Sequence, residues 1–391
     1  MKPIKERVAT LVVFLANGFG IGAWAVEVPR IKVNLALSDT ALGIALFAFA
    51  LGALVAMPMA GRLAPRFGSG RVTALLGIAF AVALSLPAFA PDLLSLCCVL
   101  LVLGAINGAL DVSMNGHASA IEAEWRAPIM SSFHAAWSAG GLLGAATGAL
   151  LQKGGVGIVG GLMLPSTGIG VLMVFAAALA LRDIGPRASA SLIGFALPTV
   201  GVMKLAALAF LCMMVEGAVA DWSAVYLRAV LHGEASIAAI GYSAFALSMA
   251  ACRIVGDRSV RLFGPEKVTA LGGLVAATGL ALVLGLPNVV TACVGFGLVG
   301  IGLANVVPVI FSAAGRSTST PAVGVSMAAT VGYTGFLVGP PIIGFGAGLV
   351  GLRGALCVLL VATLIVFLVG GRAVRHVGQS TTALRKSIAP S

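Results

Sequence analysis

The chain has 391 residues, of which 60% are hydrophobic and only 9% charged, with a mean hydropathy of +1.10. A soluble globule carries about a quarter of its residues as charges, so the solvent of this chain is lipid and a soluble enzyme or binding domain is excluded. A formal charge of +11 invites a nucleic-acid reading, but the placement of the basic residues decides against it. A span needs roughly 20 apolar residues, and twelve segments qualify in chain order: 8–29, 41–61, 72–90, 93–120, 129–151, 156–181, 205–230, 237–255, 268–286, 289–314, 322–350 and 355–370. With the N-terminus inside, nineteen of the 24 basic residues, Arg253 among them, fall on segments facing the cytoplasm. That asymmetry predicts two cytoplasmic termini, with the charge facing anionic lipid headgroups rather than nucleic acid.

Residues 67–77 read FGSGRVTALLG and residues 263–273 read FGPEKVTALGG, seven identities in eleven without a gap. The offset of 196 also relates Arg62 to Arg258 and Gly104 to Gly300. Each copy is a short basic loop between two apolar runs, so the chain is a duplicated bundle, an organisation typical of transporters. The expected organisation is a six-helix bundle over 1–184, a central cytoplasmic loop over 185–203, and a second six-helix bundle over 204–391 ending in a short basic tail.

Met1 to Ala25 imitates a signal peptide, but the apolar run is needed as the first span and is expected to stay. Cys97, Cys98, Cys212, Cys252, Cys293 and Cys357 sit in apolar runs without metal-ligand spacing and read as small buried hydrophobes. No metal, cofactor or catalytic residue is expected. Gly140 and Gly144 on the fifth span match Gly335 and Gly339 on the eleventh. Small residues four apart let helices in a bilayer approach closely, so these are the expected seams of each half.

Two halves of six spans, with the loop GRLAPRFGSGR (61–71) after the second span and its copy after the eighth, resemble the major facilitator superfamily. The resemblance implies an all-α membrane protein of twelve transmembrane helices in two pseudo-symmetric six-helix bundles. It also implies a gating role for these loops, through Gly61, Arg62, Arg66, Gly68 and Arg71 in the first and Arg258, Gly264 and Lys267 in the second. Pro65 stands where the family has an acidic residue, so the usual cytoplasmic charge latch does not carry over. NGALDVSMN (107–115), MSSFHAAWSAGG (130–141), EGAVADWSAVYL (216–227) and ANVVPVIFSAAGR (304–316) are similar to the MosC-like branch of that superfamily. The branch is named for a rhizobial protein linked to an inositol-type compound. It implies a bacterial inner-membrane location, a small sugar- or polyol-like solute and function as a monomer.

An ionisable residue deep in a span is costly and marks function by default. Asn107, Asp111 and Asn115 are four apart and form one polar stripe on the fourth span, either a solute and proton site or a hydrogen-bonded tie between helices. On the fifth span, His134, Trp137 and Gly141 follow i, i+3, i+7, with an imidazole suited to carrying protons near neutral pH. Glu216 and Asp221 share the seventh span but lie about 140° apart around it, so they serve different faces. Proton coupling is therefore assigned to Asp111, Glu216, His134 and Asp221. Solute binding falls to Asn107, Asp111, Asn115, His134, Trp137, Glu216, Trp222, Asn305 and Tyr333, Asn305 being equally readable as an interhelical link. Glu27 is expected on a solvated outer rim.

The chain has no Gly-x4-Gly-Lys-Ser/Thr motif to power transport by nucleotide hydrolysis, so an ion gradient is the expected energy source. The reading is a proton-coupled secondary transporter. The alternatives are a proton-antiporting exporter of drugs or metabolites and, more remotely, a membrane-embedded enzyme or a transport-derived sensor.

Overall fold

A computed structural model describes residues 3–180, 199–232, 235–318 and 320–388. The expected central loop therefore lies for the most part outside the described residues. The described chain is helical throughout: α1 (Ile4–Asn34), α2 (Asp39–Phe67), α3 (Ser69–Ser85), α4 (Leu93–Trp125), α5 (Met130–Lys153), α6 (Ile158–Ala180), α7 (Val200–Ala229), α8 (Ala235–Phe263), α9 (Pro265–Gly285), α10 (Val289–Leu303), α11 (Val306–Arg316), α12 (Pro321–Ala355) and α13 (Cys357–Ile388). The tenth span is broken, its two pieces α10 and α11 meeting at Ala304 and Asn305. Among the described residues, ten helical segments are long and apolar enough to cross a membrane. At 24 and 29 residues, α5 and α8 are also of spanning length.

Most helices overrun their apolar stretches, because a helix continues as long as its backbone bonds are satisfied. This corrects the expected basic loops. Gly61, Arg62 and Arg66 belong to the last two turns of α2, and Arg258 to α8. The connection is a single glycine in each copy, Gly68 at φ 97° and Gly264 at φ 80°, after which α3 and α9 begin at once. Such a backbone favours glycine, since a Cβ would clash with the adjacent carbonyl. Arg71 and Lys267 consequently lie in the first turns of α3 and α9.

Two compact units divide the chain, one of Met1–Arg126, Phe133–Ala196 and Thr320–Ser326, the other of Ala127–Ser132, Leu197–Ser319 and Met327–Ser391. The duplication is visible inside each. A methyl group on Gly104 would lie 1.9 Å from Phe49 O in the first unit, and one on Gly300 would lie 2.2 Å from Phe245 O in the second, both residues advancing by 196. The glycine seams repeat as well. Gly140 and Gly144 of α5 bring Cβ positions within 2.1 and 2.0 Å of Leu15 O and Phe19 O of α1. Gly335 and Gly339 of α12 do so at 2.3 and 2.6 Å from Phe210 O and Met214 O of α7. Lipid tails are as apolar as leucine, so close backbone approach rather than burial holds these helix pairs. Gly144→Val and its counterpart Gly339→Val should each cost about 1–3 kcal/mol by overpacking. Thermal unfolding in detergent measures this, and wild-type midpoints for both variants would contradict the seam.

Between the spans, Asp92 starts α4 with a capping box, its Oδ1 accepting the Ser95 N–H at 2.8 Å. That bond holds the exposed carboxyl below its ordinary range.

Candidate functional site

The α1/α5 seam places the deep polar residues of the first unit. Because α1 has glycine at 18, α5 can bring Trp137 O to 2.0 Å from where a Cβ would stand. The neighbouring Asn17 then meets the Trp137 side chain, whose Nε1 donates to Asn17 Oδ1 at 2.9 Å. Asn17 Nδ2 in turn donates to Asn107 Oδ1 on α4 at 2.9 Å. The chain runs Trp137 to Asn17 to Asn107 and ends on an amide whose NH2 is the remaining donor.

One turn along α4 a second chain forms. Asn115 Nδ2 donates to the Asp111 carbonyl at 2.9 Å and to Asp111 Oδ1 at 3.2 Å. This fixes the Asn115 amide, so its oxygen faces His134 Nε2 at 3.2 Å. An amide oxygen only accepts, so Nε2 carries a hydrogen in this arrangement. Phe14 of α1 stands edge-on to the imidazole with centroids 5.7 Å apart. Asn17, Asn107, Asp111 and Asn115 are all buried, whereas His134 and Trp137 are half-buried. The structure thus brings together Asn107, Asp111, Asn115, His134 and Trp137, with Asn17 added. A carboxylate next to an asparagine-bridged imidazole can hold and pass a proton, and the asparagine amides can bond hydroxyls.

The second unit holds a separate group. Glu216 lies mid-helix on α7 with Oε1 buried. Asn305 sits at the break of the tenth span and donates Nδ2 to Cys252 O of α8 at 3.2 Å, making the interhelical link. Trp222 gives its Nε1 hydrogen to Pro340 O of α12 at 3.0 Å. Asp221 is exposed and lines, with Trp222, Pro341 and Phe345, an open cleft of about 540 Å³. Tyr333 is partly buried on α12.

Three residues were misplaced or missed from sequence. Asn17 is one polar side chain in an apolar run, and that isolation was the available signal. Arg253, counted with the cytoplasmic basic residues, is 6% exposed inside α8, ten residues before the helix ends. Removing it leaves eighteen basic residues against five, so the bias remains. Glu27 is not a solvated rim residue but fully buried, with Arg30 Nη1 3.1 Å from both carboxylate oxygens and Gln152 Nε2 3.4 Å from Oε1. Arg30 Nη2 also donates to Val156 O at 2.9 Å, so the group ties α1 to the segment before α6. Glu27→Ala removes this tie and should cost about 1–3 kcal/mol in thermal unfolding; an unchanged midpoint would place Glu27 outside the fold's support.

The helical order, the duplication and the broken tenth span describe a transporter fold, and comparison with known proteins agrees. The family model of the Major Facilitator Superfamily matches residues 10–330. The chain is 36% identical over 367 residues to the membrane protein MosC of Rhizobium meliloti, covering 93% of this chain and 89% of MosC. It is 36% identical over 359 residues to an uncharacterized MFS-type transporter of Yersinia pestis, covering 91% of this chain and 93% of that protein. Among solved structures, the transporter FucP in its outward conformation superposes with a TM-score of 0.74 at 15% identity, covering 95% of this chain and 98% of FucP. The human organic anion transporter MFSD10 gives 0.73 at 14% identity, covering 94% and 99%. The chain belongs to the major facilitator superfamily. It is a multi-pass membrane protein with that family's fold of twelve transmembrane helices in two six-helix bundles.

Proposed function

We propose that the protein is a proton-coupled secondary transporter of a small polar organic solute, sugar- or polyol-like, working by alternating access with both termini in the cytoplasm of a bacterial inner membrane. The observation that carries this reading is the linked polar cluster of the first unit. Two hydrogen-bonded chains, Trp137–Asn17–Asn107 and His134–Asn115–Asp111, line up on one face of α4 where the alternative in lipid would be apolar packing. Asparagine amides and an indole edge suit a neutral hydroxylated solute, and Asp111 with His134 supplies the proton-carrying pair. A fucose:proton symporter shares the fold at 16% identity, which supports the class by analogy. The Yersinia pestis relative is named as a transporter, so transport without chemical change is the activity assigned, and no enzyme is proposed.

Purified protein in liposomes with an imposed pH gradient, offered a panel of radiolabelled cyclic polyols, hexoses and pentoses, tests the reading. At least one member should accumulate unchanged and only with the gradient. Chemical conversion of the solute, or accumulation of cationic drugs and none of the panel, would overturn it.

A further inference from the structure

The hydrogen bonds through Asn17 decide which part of Trp137 is left for a solute. The indole has one polar group, and its N–H is given to Asn17 Oδ1 at 2.9 Å. What remains of the side chain is its apolar ring. Asn17 Nδ2 in turn occupies Asn107 Oδ1, also at 2.9 Å. Asn107 Nδ2 donates to no group among the described residues and is not sealed from solvent, so it ends the chain as an open donor.

Trp137 is half-buried, and its accessible part lies on the bundle side of α5. The exposed apolar residues of that helix, Leu142, Leu143 and Leu150, all stand at least about 120° around it from Trp137. Gly141, one turn further along, leaves the neighbouring face uncrowded. Cβ positions on Gly140 and Gly144 would collide with α1, but one on Gly141 would meet nothing closer than Gly18 O at 3.8 Å, so packing does not require glycine there. α5 returns antiparallel to α4, and His134 faces Asn115 at 3.2 Å. At the same rise per residue on both helices, Gly141 stands about level with Asn107 and Gly108. A donor, an aromatic ring and an uncrowded glycine therefore border one spot, with Asn17 as the strut that holds the first two.

The face of an indole is negative and attracts the weakly positive hydrogens of C–H bonds. A cyclic polyol in its chair form presents such C–H bonds on its faces and hydroxyls around its rim. An open-chain polyol can carry as many hydroxyls but has no lasting apolar face. We propose that Trp137 is a specificity-determining residue that selects ring-shaped over open-chain solutes. Its ring stacks on the C–H face of a neutral cyclic polyol, a rim oxygen accepts from Asn107 Nδ2, and the solute occupies the space beside Gly141. This role rests on the reading of the chain as a transporter of hydroxylated solutes, and it makes the indole face, rather than the edge bonded to Asn17, the part that meets the solute.

Equilibrium binding of radiolabelled myo-inositol and sorbitol, a ring and an open chain with equal numbers of hydroxyls, to the purified full chain in detergent tests the assignment. The wild type should bind myo-inositol about tenfold more tightly than sorbitol. Trp137→Leu should abolish that preference, whereas Trp137→Phe, which loses the bond to Asn17 but keeps an aromatic face, should retain at least about a threefold preference. A merely structural tryptophan would lower the thermal midpoint in both variants and leave the ratio of the two affinities unchanged, and an unchanged ratio in Trp137→Leu would overturn the stacking role. Gly141→Leu puts a side chain where the solute is placed. It should weaken myo-inositol at least about tenfold while the thermal midpoint stays within about 2 °C of wild type, and wild-type affinity in this variant would overturn the placement. Sorbitol bound as tightly as myo-inositol, or in its stead, would overturn the selectivity and leave the transport reading standing. Binding of neither polyol would overturn the site, and the liposome panel then decides by itself whether the transport reading falls too.

Discussion

In liposomes with an imposed pH gradient, Asp111→Asn should reduce solute accumulation at least about tenfold while leaving solute exchange at equal pH near the wild-type rate. The substitution is close to isosteric. The new side chain keeps a carbonyl oxygen where Asp111 Oδ1 now accepts from Asn115 Nδ2 at 3.2 Å, and the backbone bond from Asn115 is untouched. The stripe on α4 therefore stays in place. What disappears is the one carboxylate of this cluster and, with it, the ability to bind and release a proton during the cycle. Exchange needs only that the loaded protein reorient, so it survives. Full, pH-dependent accumulation by Asp111→Asn would move coupling elsewhere, with His134 and Asp221 next to be tested.

Asn17→Leu should have the largest structural effect among the polar residues of the first unit. Leucine fills nearly the same volume but strands Trp137 Nε1 and Asn107 Oδ1, both of which now bond to Asn17 at 2.9 Å. An unsatisfied buried group costs about 1–3 kcal/mol, although interhelical bonds in membranes average only about 0.6 kcal/mol. A combined loss of about 2 kcal/mol follows, seen as a lower thermal midpoint. The KM for the transported solute should also rise about fivefold or more, since Trp137 and Asn107 lose the strut that orients them. An unchanged midpoint together with an unchanged KM would show that the chain is neither support nor binding surface.

The features legible in the sequence are those with a period or a copy. The α4 stripe followed from three polar residues four apart, and the glycine seams followed from spacings repeated in both halves. They emerge in the fold as matched close contacts, Gly140 and Gly144 on α1, Gly335 and Gly339 on α7. Residues that act through a partner distant in sequence were hidden. Asn17 has no polar residue three or four positions away on α1 to flag it, and its partners on α5 and α4, 120 and 90 residues away, give it meaning. Arg253 was misread because the apolar run ends at Val255 while α8 continues to Phe263, so a residue near the edge of the hydrophobic window is interior to the helix. Glu27 was misread for a similar reason: α1 runs on to Asn34, and α6 packs Gly161 against the carboxylate, leaving 2.3 Å between a Cβ there and Glu27 Oε1. The basic loops shrank to one glycine each because arginine, a good helix former, does not end a helix.

In the proposed cycle, solute and proton move together. Liposomes loaded with a pH-sensitive dye and containing the purified protein, with no imposed gradient, measure this directly when the accumulated member of the polyol and hexose panel is added outside. The expected result is a solute-dependent change of internal pH that follows the kinetics of solute uptake, is absent without protein, and is abolished by Asp111→Asn. Uptake of the same solute with no accompanying pH change would contradict it.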